Sequence, residues 1–250
     1  MNDQSHPLHK FYITAPSPCP YVIGKLERKV FTDLDGPDAA AKHESFNHIG
    51  FRRSQNIVYR PACDSCRSCI SVRVVTKTFR MGRSMRRTHN RFRHLAVADE
   101  DAAATYEQFD LLKRYIASRH ATGGMAGMDE FEYADMVELS PVTTRLVEYR
   151  AAPPRGAKRQ KGSLAGAALT DVLSDGLSLV YSFYRTERAF AGFGTFIILD
   201  HILRAREAGL PYVYLGYWVK ESKAMAYKAR FQPLEFLERG GWRPFDPAAF

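Results

Sequence analysis

The chain has 250 residues, of which 45% are hydrophobic, and a formal net charge of +9. This composition is enough for the core of one large domain or two modest ones, and it excludes a fibrous or disordered protein. The longest apolar runs, such as FGTFIILDHIL, are interrupted well short of the roughly 20 residues that a membrane span needs. Because the N-terminus has no basic segment followed by an apolar one, we expect no signal peptide and a cytoplasmic protein.

The first part of the chain predicts short strands around one helix. The helix covers residues 38–50, with Asp38 as its N-cap and Gly50 at its end. The strands are indicated by alternation and by β-branched residues. They cover residues 21–34, 51–60 and 69–79.

An arginine-rich segment, RMGRSMRRTHNRFRH at residues 80–94, follows these strands. Basic surfaces attract phosphate backbones, whereas a helix face that only meets water needs no such excess of one charge. From net charge alone, a basic protein without a nucleic-acid partner is an equal alternative. The clustering favours contact with phosphates.

The second half of the chain predicts a mixed sheet with helices packed on it. Residues 163–185 are typical of a hairpin that turns at Ser174, Asp175 and Gly176, and residues 211–219 are apolar enough for a strand buried on both faces. The other predicted elements are helices at 101–120, 128–139 and 193–209, a strand at 143–150 and an exposed loop at 151–162.

Four cysteines are the first candidate site: Cys19, and Cys63, Cys66 and Cys69 in the segment RPACDSCRSC. Four thiolates suit structural zinc or an iron-sulfur cluster, but three ligands from one loop do not match the two pairs of a zinc ribbon. Packing of free thiols without metal is an equal alternative. A nucleophilic cysteine is less favoured, because no histidine is near in the sequence to activate it.

A glycine turn and an aromatic strand form the second candidate site. Gly192 and Gly194 precede a predicted helix, whose free N–H groups can hold an anion or a polarised carbonyl; a simple tight turn is the alternative. Gly216 indicates a bulge or a ligand against the backbone. Tyr217, Trp218 and Tyr227 are suited to stacking bases, with core packing as the alternative, and Lys228 is suited to binding phosphate.

Taken together, several segments carry a family resemblance. They are FYITAPSPCPY, GFRRSQNIVYRPACDSCRSC, LVYSFYR, GFGTFIILDHI and YVYLGYWV with MAYKARFQP. In this order they resemble the aminoacyl-tRNA-protein transferases, most closely the short bacterial branch that joins leucine to N-terminal aspartate or glutamate. The resemblance covers the chain from about Phe11 to Trp242.

This resemblance implies an α+β fold in two parts. Residues 96–250 would form a GNAT-like acyltransferase domain, a mixed sheet with packed helices that binds the end of an aminoacyl-tRNA. Residues 1–95 would form a smaller cysteine-containing α/β region that recognises the acceptor protein. The reaction is attack by an N-terminal amine on the aminoacyl ester, and an amine with a pKa of about 8 needs no strong enzymic base for it. No cofactor is required.

The resemblance also suggests roles for single residues. We expect Asp171 with Ser178 or Tyr181 to hold the incoming amine, and the backbone near Gly192 and Gly194 to face the ester. Residues expected to hold the tRNA end are Tyr217, Trp218, Tyr227 and Lys228. Cations for the acidic acceptor side chain are offered by Arg52, Arg53 and Arg60, of which Arg53 is the first choice. The cysteines would brace these strands, with or without structural zinc or an iron-sulfur cluster.

Three other functions remain open at this stage. Transfer of arginine would use the same acceptors with a different tRNA. A non-catalytic, zinc-stabilised RNA-binding protein would explain the charge and the cysteines but not the glycine turn. Acetylation with coenzyme A would need a fuller glycine-rich loop than AGFGT.

Overall fold

A computed structural model describes residues 10–121, 123–152 and 162–246, and these residues form one large sheet, one small sheet, a two-stranded ribbon and six helices. In chain order the elements are β1 (Tyr12–Ile13), β2 (Ser17–Pro18), β3 (Leu26–Glu27), β4 (Lys29–Asp33), α1 (Ala39–His48), β5 (Arg52–Ser54), β6 (Ile57–Pro61), β7 (Ile70–Val75), α2 (Arg83–Phe92), β8 (Ala96–Asp101), α3 (Tyr106–Arg119), α4 (Glu130–Glu138), β9 (Thr144–Arg150), β10 (Leu164–Leu173), β11 (Gly176–Tyr184), α5 (Phe193–Glu207), β12 (Tyr212–Trp218), α6 (Lys223–Ala226), β13 (Leu234–Glu238) and β14 (Gly241–Pro244). Short 3₁₀ turns cover Arg188–Phe190 and Tyr227–Arg230.

The large sheet has the strand order β14-β13-β7-β12-β11-β10-β9-β8. All neighbouring strands in it are antiparallel except β11 and β12, which are parallel and are connected by α5. The predicted hairpin, the helix after it and the buried strand are confirmed as β10 with β11, α5 and β12. The expected α+β fold with a mixed sheet is therefore confirmed.

A small antiparallel sheet, in the order β1-β4-β6-β5, is formed by strands that precede those of the large sheet in the chain. Strands β2 and β3 pair with each other as a separate ribbon. Helix α1 packs on the small sheet through Phe46, which contacts Phe51 at a ring distance of 5.0 Å. The predicted helix at 38–50 is confirmed, with Gly50 at a positive φ just after its end.

Adjacent residues of β10 show which elements cover each face of the large sheet. Oγ1 of Thr170 lies 2.9 Å from Nε2 of His201 in α5, whereas Asp171 is bonded to Arg53 in β5. Because successive strand residues point to opposite faces, α5 and the small sheet lie on opposite faces. Leu169 clusters with the buried side chains of α3, so α3 shares its face with the small sheet. Helix α2 packs beside α5.

Two sequence expectations need correction. The helix predicted from Asp101 begins at Tyr106, because Thr105 and Gln108 form a capping box there, and Asp101 ends strand β8 instead. Gly176 is the first residue of β11 rather than a turn residue. Most of the loop predicted at 151–162 lies outside the described residues.

The division at residue 95 stays a prediction. Strand β7, from before that point, lies in the large sheet between β13 and β12, so the small sheet ends well before the proposed boundary. None of the described helices is long and apolar enough to cross a membrane.

Candidate active site

The candidate site lies where β11 and β12 separate. The two strands pair only over Gly176–Ser178 and Tyr212–Tyr214. Beyond this short pairing, β11 has a bulge at Val180, which the register to β10 skips, and β12 has a bulge at Leu215. Bulges bend a strand and interrupt its pairing. They open a wedge between the strands, which we call the splay.

Arg52 of the small sheet fills the inner part of the splay. Its Nη2 donates to the carbonyl oxygens of Leu179 at 2.5 Å and Val180 at 3.3 Å, which β12 does not use. Gly216 permits this approach, because a Cβ there would lie 1.8 Å from Nη1 of Arg52. The backbone at Gly216 also has a φ of 73°, so the predicted bulge is present and a side chain would be strained.

The glycine turn borders the splay at the start of α5. Gly192 is the N-cap residue, with a left-handed φ of 90°. Gly194 lies against Tyr184, whose Oη would be 2.8 Å from a Cβ at residue 194. The first amides of a helix have no intrahelical acceptor. The turn therefore offers N–H groups, with the Tyr184 hydroxyl close by, to a polarised oxygen.

Four tyrosines form a cluster at the outer end of the splay. Tyr115 of α3 packs against Tyr184 with ring centroids 4.9 Å apart and the rings tilted by 56°, and the Tyr115 hydroxyl interacts with those of Tyr181, Tyr184 and Tyr227. Burial raises the pKa of Tyr181 to about 12, and burial with the nearby Tyr184 raises that of Tyr227 to about 12. The hydroxyls of Tyr181 and Tyr227 are therefore protonated near neutral pH and can donate hydrogen bonds.

Lys228 lies inside the protein next to Arg52. Its Nζ donates to the carbonyl oxygen of Tyr217 at 2.6 Å and to Sδ of Met225 at 3.3 Å, and the residue is 8% exposed. Burial, followed by the charge of Arg52, lowers the pKa of Lys228 to about 7. A lysine in this position has little surface for a phosphate, and its lowered pKa favours the neutral amine more than in an ordinary lysine.

Asp171 and Arg53, which the sequence interpretation placed against different parts of the substrate, contact each other. Arg53 donates from Nε and Nη2 to the two carboxylate oxygens at 2.8 and 2.6 Å, and both side chains have no exposed surface. Thr144 donates to the same carboxylate at 2.8 Å, and Nε2 of His43 lies 3.4 Å away. The pair joins β5 to β10 and holds the small sheet on the large one.

Tyr217 and Trp218 are also buried, which agrees with core packing, the alternative for aromatic residues. The Tyr217 hydroxyl lies 3.0 Å from the carbonyl oxygen of Gly50 and 3.1 Å from that of Tyr59. Trp218 donates to the carbonyl of Ala226 at 3.2 Å. Ser178 is buried in the short parallel pairing.

Arg60 lies in a different place from Arg52 and Arg53. It is exposed on a cavity of about 980 Å³ between the small sheet, the cysteine loop and the β13–β14 hairpin. Arg67 and Arg239 line the same cavity, with Glu238 as its acidic residue. The cavity is therefore basic, and Tyr217, whose carbonyl oxygen accepts from Lys228, is one of its lining residues.

The four cysteines are neighbours with free thiols. Burial and then the nearby Cys19, Cys63 and Cys66 raise the pKa of Cys69 to about 12, whereas a hydrogen bond with Ser68 lowers that of Cys66. Soft thiols suit zinc or an iron-sulfur cluster. No group of three or more His, Cys, Asp or Glu side chains among the described residues could hold a metal ion as it stands. The metal site stays a prediction.

Sequence reasoning missed two members of the site. Tyr115 falls in the apolar stripe of α3, where an aromatic residue indicates only core packing. Tyr184 lies in the motif LVYSFYR, but nothing local shows that its hydroxyl reaches the turn at Gly194.

Comparison with known proteins gives a consistent result along the chain. The family models described as arginine-tRNA-protein transferase, N terminus and C terminus, match residues 17–87 and 107–238. A relative from Rhizorhabdus wittichii is 54% identical over 238 residues, covering 95% of this chain and 88% of its own. One from Parvibaculum lavamentivorans is 52% identical over 244 residues, covering 97% and 98%. Both carry the name aspartate/glutamate leucyltransferase.

Among solved structures, L-PGS from Bacillus licheniformis is a distant match. It is 14% identical with a TM-score of 0.45, and the matched region covers 75% of this chain and 51% of that one.

Proposed function

Because the chain belongs to the arginine-tRNA-protein transferase family, we propose that it moves leucine from Leu-tRNA to the N-terminal amine of proteins that begin with Asp or Glu. The product would be marked for degradation by the N-degron route. The observation that carries this proposal is the near full-length identity to relatives named for that reaction.

The splay is the place for the ester of the aminoacyl-tRNA. Attack on the ester carbonyl turns its oxygen into an oxyanion, which the amides at the start of α5 and the Tyr184 hydroxyl can stabilise. Of the four clustered tyrosines, Tyr227 has the most exposed surface, and its ring would pack against the terminal adenine.

Lys228 is the candidate proton acceptor. As the C–N bond forms, the amine loses a proton to the neutral Nζ of Lys228; as the ester C–O bond breaks, the ribose oxygen takes that proton. A group with a pKa near the working pH serves both steps. Arg52 contributes by keeping Lys228 weakly basic and by holding β11 apart from β12.

The acceptor's acidic side chain would enter from the basic cavity. Arg60 is the exposed cation of the three that the sequence suggested, and Arg67 and Arg239 add to the positive field there. Arg53 and Asp171 would act on the reaction through the position of the small sheet.

The test is transfer of labelled leucine or arginine from charged tRNA to four peptides that differ only in an N-terminal Asp, Glu, Lys or Ala. The proposal expects leucine on the Asp and Glu peptides alone. Arginine on the same peptides would keep the reaction and change the donor. Binding of tRNA without any transfer would favour the RNA-binding function instead.

A further inference from the structure

Helix α2 turns an uncompensated row of arginines outward. Two buried side chains, Met85 and Phe92, hold it on the fold, and Phe92 packs edge-on against Phe193 at 4.9 Å. The exposed arginines are Arg83, Arg86, Arg87, Arg91 and Arg93. None of these five takes part in an ion pair of the described residues.

This pattern works against the stability of the helix. Arg83, Arg87 and Arg91 repeat at every fourth residue, where like charges repel each other. The first turn has no acidic residue to balance the helix dipole, and the chain holds no Asp or Glu between Asp64 and Asp99. Because the protein does not neutralise these charges itself, an external polyanion would relieve the repulsion.

The arginine row begins beside the glycine turn. Nη1 of Arg91 donates to the carbonyl oxygen of Ala191 at 3.1 Å, and a Cβ at Gly192 would lie 3.5 Å from Cγ2 of Thr88. From there the row runs to Arg83, about 12 Å along the helix axis. A polyanion on α2 would therefore continue directly from the place assigned to the aminoacyl ester.

We propose that the exposed face of α2 binds the phosphate backbone of the acceptor stem of the aminoacyl-tRNA while the 3′ end enters the splay. This inference rests on the proposed function, which requires a tRNA whose charged end reaches the glycine turn. An anionic membrane is the less suitable occupant, because a helix lying on lipid needs exposed apolar residues, and those of α2 are buried.

The test compares two double variants that each remove two charges. Arg83→Gln with Arg87→Gln changes the row, and the substitutions relieve repulsion, so α2 stays folded. The matched control, Lys113→Gln with Arg206→Gln, changes exposed cations on α3 and on the far part of α5. Binding of uncharged tRNA is followed by fluorescence anisotropy over a range of salt concentrations, and transfer is measured with Leu-tRNA and with a short leucyl-CCA fragment that lacks the stem.

We expect the first variant to bind tRNA roughly ten- to thirty-fold more weakly at about 0.15 M salt, with a log–log salt slope shallower by about 1.5. Its KM for Leu-tRNA rises while kcat and the use of the leucyl-CCA fragment stay as in the wild type. The control variant behaves as the wild type in every assay.

Equal tRNA affinity and salt slope in the two variants would overturn the inference, and so would impaired use of the leucyl-CCA fragment by the Arg83/Arg87 variant. Loss of binding to phosphatidylserine vesicles with tRNA binding unchanged would assign the face to a membrane and also overturn it. If the wild type transfers no amino acid but its tRNA binding depends on Arg83 and Arg87, the surface is supported and only the proposed function fails.

Discussion

Replacing Lys228 with methionine should change how the stability of the protein depends on pH. The folded state lowers the pKa of this lysine to about 7 from its ordinary value of 10.5. Above the lower value the folded protein releases the proton while the unfolded chain keeps it, so the free energy of unfolding of the wild type rises with pH. Between about pH 6 and about pH 9 this linkage contributes about 3 kcal/mol, and Lys228→Met should lose that rise.

The loss of the hydrogen bond to Tyr217 lowers the stability of the variant by about 1–3 kcal/mol at every pH, so it shifts the curve without changing its slope. Denaturant unfolding followed by tryptophan fluorescence at several pH values gives the curves. The exposed Lys113→Met is the matched control and should run parallel to the wild type. If Lys228→Met also runs parallel to the wild type, the lysine is not a weak base in the folded protein and the proton-transfer step proposed for it fails.

Three further outcomes follow from the contacts of the site. Arg53→Ala should lower the free energy of unfolding by about 3–5 kcal/mol, because it leaves a buried carboxylate without its partner; a denaturation curve close to that of the wild type would contradict this. Gly216→Ala should abolish transfer, because its Cβ would collide with Arg52. Gly209→Ala is the control, since Gly209 has the same φ of 73° but open space around it. Equal activity of the two variants would show that transfer does not need the close approach of Arg52 to residue 216. If the cysteines hold a metal, Cys66→Ser should lower the metal content of the purified protein, and an unchanged content would refute the metal site.

Local sequence patterns were sufficient for the elements around the site. The β10–β11 hairpin and α5 follow from alternation, turn residues and the spacing of apolar side chains, all of which act over a few neighbours. The turn at Gly192 follows from the same short-range logic. The family resemblance then joined these elements into one fold.

Contacts between distant parts of the chain were beyond such patterns. Arg53 stands in the sequence as a free cation, and its burial depends on Asp171, 118 residues away. Lys228 lies in an aromatic and basic segment, which predicts an exposed side chain, but in the fold its Nζ points inward and donates to the carbonyl oxygen of Tyr217. Strand β7 has the pattern of a strand, but nothing in it indicates that it pairs with β12 rather than with its neighbours in the chain.

Mass spectrometry of an Asp-initiated peptide after incubation with the protein and Leu-tRNA, beside the same peptide with an acetylated N-terminus, shows directly whether leucine is joined to the α-amine. We expect one leucine added through a peptide bond at the free α-amine and no change in the acetylated peptide. Leucine on both peptides, or on neither while the tRNA is bound, would rule out leucyl transfer to the N-terminal amine.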